Sequence, residues 1–80
     1  MGLAKTEAEL ADRLSVWIKA ELKRAKMTYA DLANALAEHG LDGETEHSVK
    51  SKLKRGTFPA TFLMATVAAL GLPHVAVEDI

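Results

Sequence analysis

The chain contains no cysteine, only two prolines, and four aromatic residues among its 80. Without cysteine, neither a disulfide nor a thiolate metal site can hold a small fold together. No apolar run approaches the ~18 residues of a membrane-spanning helix. The N-terminus has no apolar stretch of signal-peptide length, so the expected setting is soluble and cytoplasmic. Signatures of catalysis are missing too: no GxSxG, no Gly-rich phosphate loop and no cysteine nucleophile. The expectation is that the chain is not an enzyme. His39, His47 and His74 never stand four apart as in a helical zinc site, so no metal is expected. Asp42, Glu44 and Glu46 alternate but lack the twelve-residue calcium pattern and read as a solvated acidic turn. No cofactor is implied. Internal repeats, low-complexity tracts and linkers are also absent.

What the chain does contain is helix-forming. Fourteen alanines and eleven leucines dominate an apolar content of 49%, far from the composition of a disordered tail. Eighty residues make one domain, with a core over about 7–72 and a tail over 73–80. The expected fold class is all-α, a compact bundle of four to five helices. A chain of this size buries only ~60–65% of its unfolded surface, so a second subunit is a natural source of further stability. The opening MGLAKT fits the short N-myristoylation pattern through Gly2 and Thr6, but Thr6 has a better explanation as a helix cap.

Four helical segments carry their own start and stop signals. Thr6 with Glu9 forms a capping-box pattern. Leu10, Leu14, Ile18 and Leu22 then repeat every four residues, with Ala11, Trp17 and Ala25 beside them, so the first helix is expected over Glu7–Ala25. Thr28 and Asp31 mark the second start, and Met27 with Leu32 has the spacing of a hydrophobic staple. Leu32, Ala33, Leu36 and Ala37 form its stripe; Gly40 is placed to end it, with Leu41 folding back. Asp42-Gly43 is a turn, Thr45 a cap, and the third helix ends at Gly56. Pro59 suits the first position of a fourth helix, whose inward residues are Phe62, Leu63, Val67 and Leu70 and which Gly71 and Pro73 stop. In the tail, Val75 and Val77 alternate as in a short strand, too briefly to decide. Trp17 reads as core filling or as an anchor between subunits, Phe58 and Phe62 as core, and Tyr29 as partly exposed.

The charge is sorted along the chain. Residues 1–18 sum to −1, 19–30 to +3, 31–46 to −5, 47–56 to +4 and 57–80 to −2. On a helix through 46–55, Val49 and Leu53 define an inner face. His47, Ser51, Lys54 and Arg55 lie opposite with Ser48 near them, and Lys50 and Lys52 flank the apolar pair. Within the helix only Lys50 has an acidic residue, Glu46, four positions away, so the segment does not neutralise itself. One reading is a solvated face that keeps a small helix soluble. The other is a cationic face suited to phosphates and base edges.

The order of a capped Ala-Leu-rich helix, a turn and a basic helix is that of a helix-turn-helix. KMTYADLANAL followed by KLKRGTFPATFLMATVAALGL resembles the lambda-repressor-like DNA-binding domains of bacteria and phages. It is similar in particular to a small bacterial family of unknown function with MTYADLA and RGTF-like segments. The resemblance runs over about residues 16–72. The chain departs from the class in two ways: the span from Leu32 to Gly56 is about seven residues longer than common spacing, and Val49 and Leu53 stand four apart rather than three.

The resemblance implies a sequence-specific DNA-binding protein, a transcriptional regulator that docks its third helix in the major groove of double-stranded DNA as a homodimer. It implies His47, Ser51 and Lys54 at base edges with Ser48 beside them, Lys50, Lys52 and Arg55 at phosphates or, with the helix rotated, in the groove, and Thr28 and Tyr29 near the DNA backbone. Thr57 is a weaker candidate. Trp17, Met64 or the tail would supply the dimer surface. The rival expectation is a helical protein–protein interaction module without DNA binding, using the acidic 31–46 segment or the apolar tail.

Overall fold

The computed structural model describes residues 4–80. Gly2, the residue on which lipidation would depend, lies outside them. The chain folds as four α-helices, α1 (Glu7–Arg24), α2 (Tyr29–Glu38), α3 (Glu46–Arg55) and α4 (Ala60–Ala69), followed by a 3-10 turn at Val77–Asp79. There is no strand among the described residues. The all-α bundle is therefore the observed architecture. The tail takes a 3-10 turn, with Val77 exposed, rather than a strand.

Side-chain caps set the helix starts. The Thr6, Thr28 and Thr45 hydroxyls accept from the N–H groups of Glu9, Asp31 and Ser48 at 3.1, 3.0 and 3.1 Å, satisfying donors that a helix start leaves open. The expected box on α1 is only half formed. The Glu9 carboxylate accepts from the Lys5 N–H at 3.4 Å and from Arg13 at 2.8 Å, instead of from Thr6. At the far end of α1, Lys26 takes a left-handed φ of 58°, and Met27 donates back to the Leu22 carbonyl at 2.9 Å. That is a Schellman ending with lysine where glycine is usual. Gly40 ends α2 as expected, with φ 93° and the Leu41 N–H on the Leu36 carbonyl.

α3 is the hub, packing against both α1 and α2, while α4 packs against α2. Ile18, Leu22, Leu32, Leu36, Val49, Leu53 and Phe62 form the buried centre, with Ala33 and Ala65 beside them. Trp17 and Tyr29 pack half-buried at its edge, as does Phe58, whose ring lies 4.9 Å from that of Phe62. Val49 and Leu53 are the only buried residues of α3, so their burial supplies roughly 3–6 kcal/mol of its hold on the bundle.

Three inward assignments change. Ala25 is exposed because it caps α1, and Ala37 is exposed because α2 buries only Leu32, Ala33 and Leu36. In α4 the deepest residues are Phe62, Ala65 and Thr66, with Leu63, Val67 and Leu70 half-buried. A helix that is apolar on every side gives no stripe from which to choose its inner face. Pro59 serves as the N-cap of α4, one position earlier than expected.

Candidate nucleic-acid interface

α3 is fixed at its C-terminal end by backbone-level contact. Gly56 caps it at φ 71° and is buried against α1. A Cβ at Gly56 would overlap the Ala11 carbonyl and stand 2.9 Å from the Ala11 Cβ, so only glycine fits. Nearby, the buried Ser15 hydroxyl donates to the Leu53 carbonyl, one of the acceptors a helix leaves open at its last turn.

The N-terminal half of α3 is held by side chains. The Ser48 hydroxyl accepts from the Thr45 N–H at 2.8 Å and donates to Glu44 Oε1 at 2.6 Å. Lys52 Nζ reaches both oxygens of the same carboxylate at 2.9 Å and lies 5.5 Å from the centre of the Phe62 ring. The side chains of Lys52 and Glu44 are 22% and 14% exposed. Burial pushes the Glu44 carboxyl up, but the hydrogen bonds from Ser48 and Lys52 and the attraction of the ammonium group together hold it below its ordinary value. Glu44 is thus a clamp on α3 and not part of a solvated turn. Lys52 is engaged by a carboxylate and Ser48 spends its hydroxyl on capping, and both side chains are half-buried.

The other flank is bare. Glu46, Lys50 and Lys54 succeed one another at four-residue steps along one side of α3. All three are exposed. Among the described residues no ion pair forms at Lys50, Lys54 or Arg55, and Lys50 does not pair with Glu46. His47 is exposed and Ser51 half-buried. Beyond Glu46 the surface dips into a hollow that Lys19, Lys23, Thr28 and Tyr29 also line. The end of α1 that carries Lys19 and Lys23 therefore adjoins the start of α3 at Glu46, and none of the α3 cations lines the hollow. At the start of α2, Thr28 and Asp31 close a reciprocal capping box, with the Thr28 N–H on Asp31 Oδ2 at 2.9 Å. The backbone and hydroxyl hydrogen bonds from Thr28 lower the Asp31 pKa against a small opposing effect of burial.

Of the residues expected at the site, the structure keeps His47, Lys50, Lys54 and Arg55 accessible, Ser51 and Tyr29 partly so, and Thr28 exposed but committed to its cap. Among the described residues no group of three or more His, Asp or Glu stands close enough to hold a metal ion. No helix among them is long and apolar enough to cross a membrane.

A family model described as a domain of unknown function, DUF6471, matches residues 10–75. The chain belongs to the DUF6471 family. No curated protein and no solved structure matches it. The DUF6471 match takes in α2, α3, α4 and nearly all of α1, so both the Glu44 clamp and the bare flank lie within it.

Proposed function

We propose that this domain is a lambda-repressor-like helix-turn-helix that binds double-stranded DNA through α3 and regulates transcription as a homodimer in the bacterial cytoplasm. The observation that carries the reading is the uncompensated charge of Lys50, Lys54 and Arg55, exposed on a helix whose reverse side is anchored by Val49 and Leu53. Lys19 and Lys23 line a hollow that reaches the start of α3 at Glu46, and the reading adds their charge to that of the helix. A cationic face releases counterions from DNA on docking, which supplies affinity without sequence. His47, Ser51 and Lys54, between the outward cations, face base edges in the major groove. Lys50, Arg55, Lys19 and Lys23 contact phosphates and fix the register. The Thr28–Tyr29 end of α2 stands near the DNA backbone, where its first N–H groups donate to a phosphate. Asp31 already places a carboxylate there, so this contact is weaker than at an uncharged helix start. Lys52 and Ser48 brace α3 instead of touching DNA. Of the acidic segment, Glu44 is neutralised within the fold by Lys52, whereas Glu46 stands exposed beside Lys50 and lowers the net positive charge of that flank. A dimer doubles the contacts of a small domain on two half-sites.

The test is binding to random-sequence duplex DNA at stepped salt concentrations. The four phosphate-contacting cations predict a slope of log K against log salt of about −3.6 per protomer. Replacing Lys50 and Arg55 by alanine lowers that slope by about 1.8 while circular dichroism stays unchanged. A folded wild-type chain without salt-dependent DNA affinity overturns the proposal in favour of an interaction module.

A further inference from the structure

A second surface lies between α2 and α4, built from residues that the DNA-binding reading does not use. The end of α2 and the outer side of α4 form an apolar groove of about 580 Å³, lined by His39, Leu41, Thr61, Met64, Ala65 and Ala68 among others. Met64 stands in it 69% exposed, the most exposed large apolar side chain of the described residues. α4 carries no charged residue at all. Apolar surface rimmed by polar residues is where partner contacts form.

The charge around the groove identifies the kind of occupant. Its lining comes from two stretches of chain, and neither contains a cation. No lysine or arginine occurs from Met27 to Val49 or from Gly56 to Ile80, whereas these stretches hold seven of the eleven carboxylates. Glu38 and Asp42, which bracket the groove residues 39–41 in sequence, are both exposed. No ion pair forms at either among the described residues. A second copy of this chain placed symmetrically on the groove would bring Glu38 and Asp42 of both copies together, and like charges across an interface oppose association. A partner with an apolar stripe and lysine or arginine along its margins meets no such penalty, and the mostly small side chains of α4 let a helical backbone approach closely. We infer that the α2–α4 groove docks a cationic amphipathic helix of another protein. This inference does not depend on the DNA-binding reading, since it uses neither α3 nor the end of α1.

The test uses the full chain and two synthetic helical peptides with the same leucine and alanine stripe, one with lysine and one with glutamate on its flanks. In an isotope-labelled amide titration, the lysine peptide shifts residues 39–41 and 60–68, and the glutamate peptide binds at least tenfold more weakly. Met64→Lys and, separately, Asp42→Lys weaken the lysine peptide at least fivefold; both positions are exposed, and thermal unfolding checks that each variant is folded. Equal binding of the two peptides, or shifts centred elsewhere, overturns the inference. So does self-association of the chain in sedimentation analysis that Met64→Lys abolishes, which would make a second copy the occupant. Failure of the salt-dependent DNA experiment leaves this result untouched, and the reverse also holds.

Discussion

On one flank of α3, Lys52 lies 22% exposed, gripped by both oxygens of Glu44 and set against the Phe62 ring. On the other, Lys50 and Lys54 stand in solvent without a counter-charge, although Glu46 precedes Lys50 by the four residues that favour a helical ion pair. The three lysines occupy alternate positions of one short helix and look equivalent in sequence. What separates them is tertiary. The loop before α3 brings one carboxylate to one flank, and Phe62 of α4 lies on that same side. Charge on a helix is available to a ligand only where the neighbouring elements leave it unanswered.

The largest expected effect removes the platform beneath both flanks. Gly56→Ala puts a side chain onto the Ala11 backbone at a left-handed φ. It should destabilise the domain by about 3 kcal/mol or more, read as a shifted urea midpoint. A loss below about 1 kcal/mol would show that α3 does not depend on this close approach.

Glu44→Gln attacks the occupied flank alone. It leaves a largely buried ammonium group without its counter-charge, and a loss of about 1–2 kcal/mol is expected. The same substitution has a signature in pH. The Glu44 carboxyl sits below its ordinary value of 4.5 when folded, so its stabilisation is fully present above that value and disappears as pH falls through the folded one. The wild-type chain should lose stability below about pH 4.5, and the variant should lose less over that range. Asp31 is shifted in the same direction and remains in the variant, so the acid limb becomes shallower without vanishing. Identical acid limbs would count against the clamp.

A finer contrast comes from alanine at each lysine. Lys52→Ala should cost about 1–2 kcal/mol, by stranding Glu44, and leave the salt slope of DNA binding as it was. Lys50→Ala and Lys54→Ala should stay within about 0.5 kcal/mol of wild type; Lys50→Ala should lower the slope by about 0.9, and Lys54→Ala should reduce discrimination between sequences instead. If all three lysines behave alike, the distinction between the flanks is empty. The smallest effect is expected off α3, at Lys26→Gly. Relief of the left-handed lysine is partly offset by the flexibility of glycine, for a net gain of about 0.5 kcal/mol in thermal unfolding.

Sequence reasoning reached features whose cause is local. The threonines at 6, 28 and 45 announce helix starts because a hydroxyl there meets an amide two or three residues on, and Gly40 and Gly56 announce ends because the backbone must turn left-handed. The Val49–Leu53 pair was legible for the same reason, since helical period alone puts both on one face. Features decided across the fold were not legible. Nothing near Ser15 in sequence indicates that its hydroxyl meets the Leu53 carbonyl 38 residues away. The close approach that makes Gly56 irreplaceable depends on where α1 passes. Glu44 left a faint signal, because Ser48 and Lys52 follow it at four and eight residues, the spacing of one helix face. It lies just before the helix begins, where such spacing is not normally sought. The uniformly apolar α4 offered no period from which its buried side could be read.

The two ends of α3 are held by different kinds of bond. One end is pinned where a bare backbone touches α1; the other is moored by a single carboxylate on the seven-residue connection His39–Thr45. Lengthening, shortening or recharging that connection would loosen or tighten the first turns of α3 while the Gly56 contact and the buried Val49–Leu53 pair stay in place, so seven residues tune how firmly the helix presents its outer face.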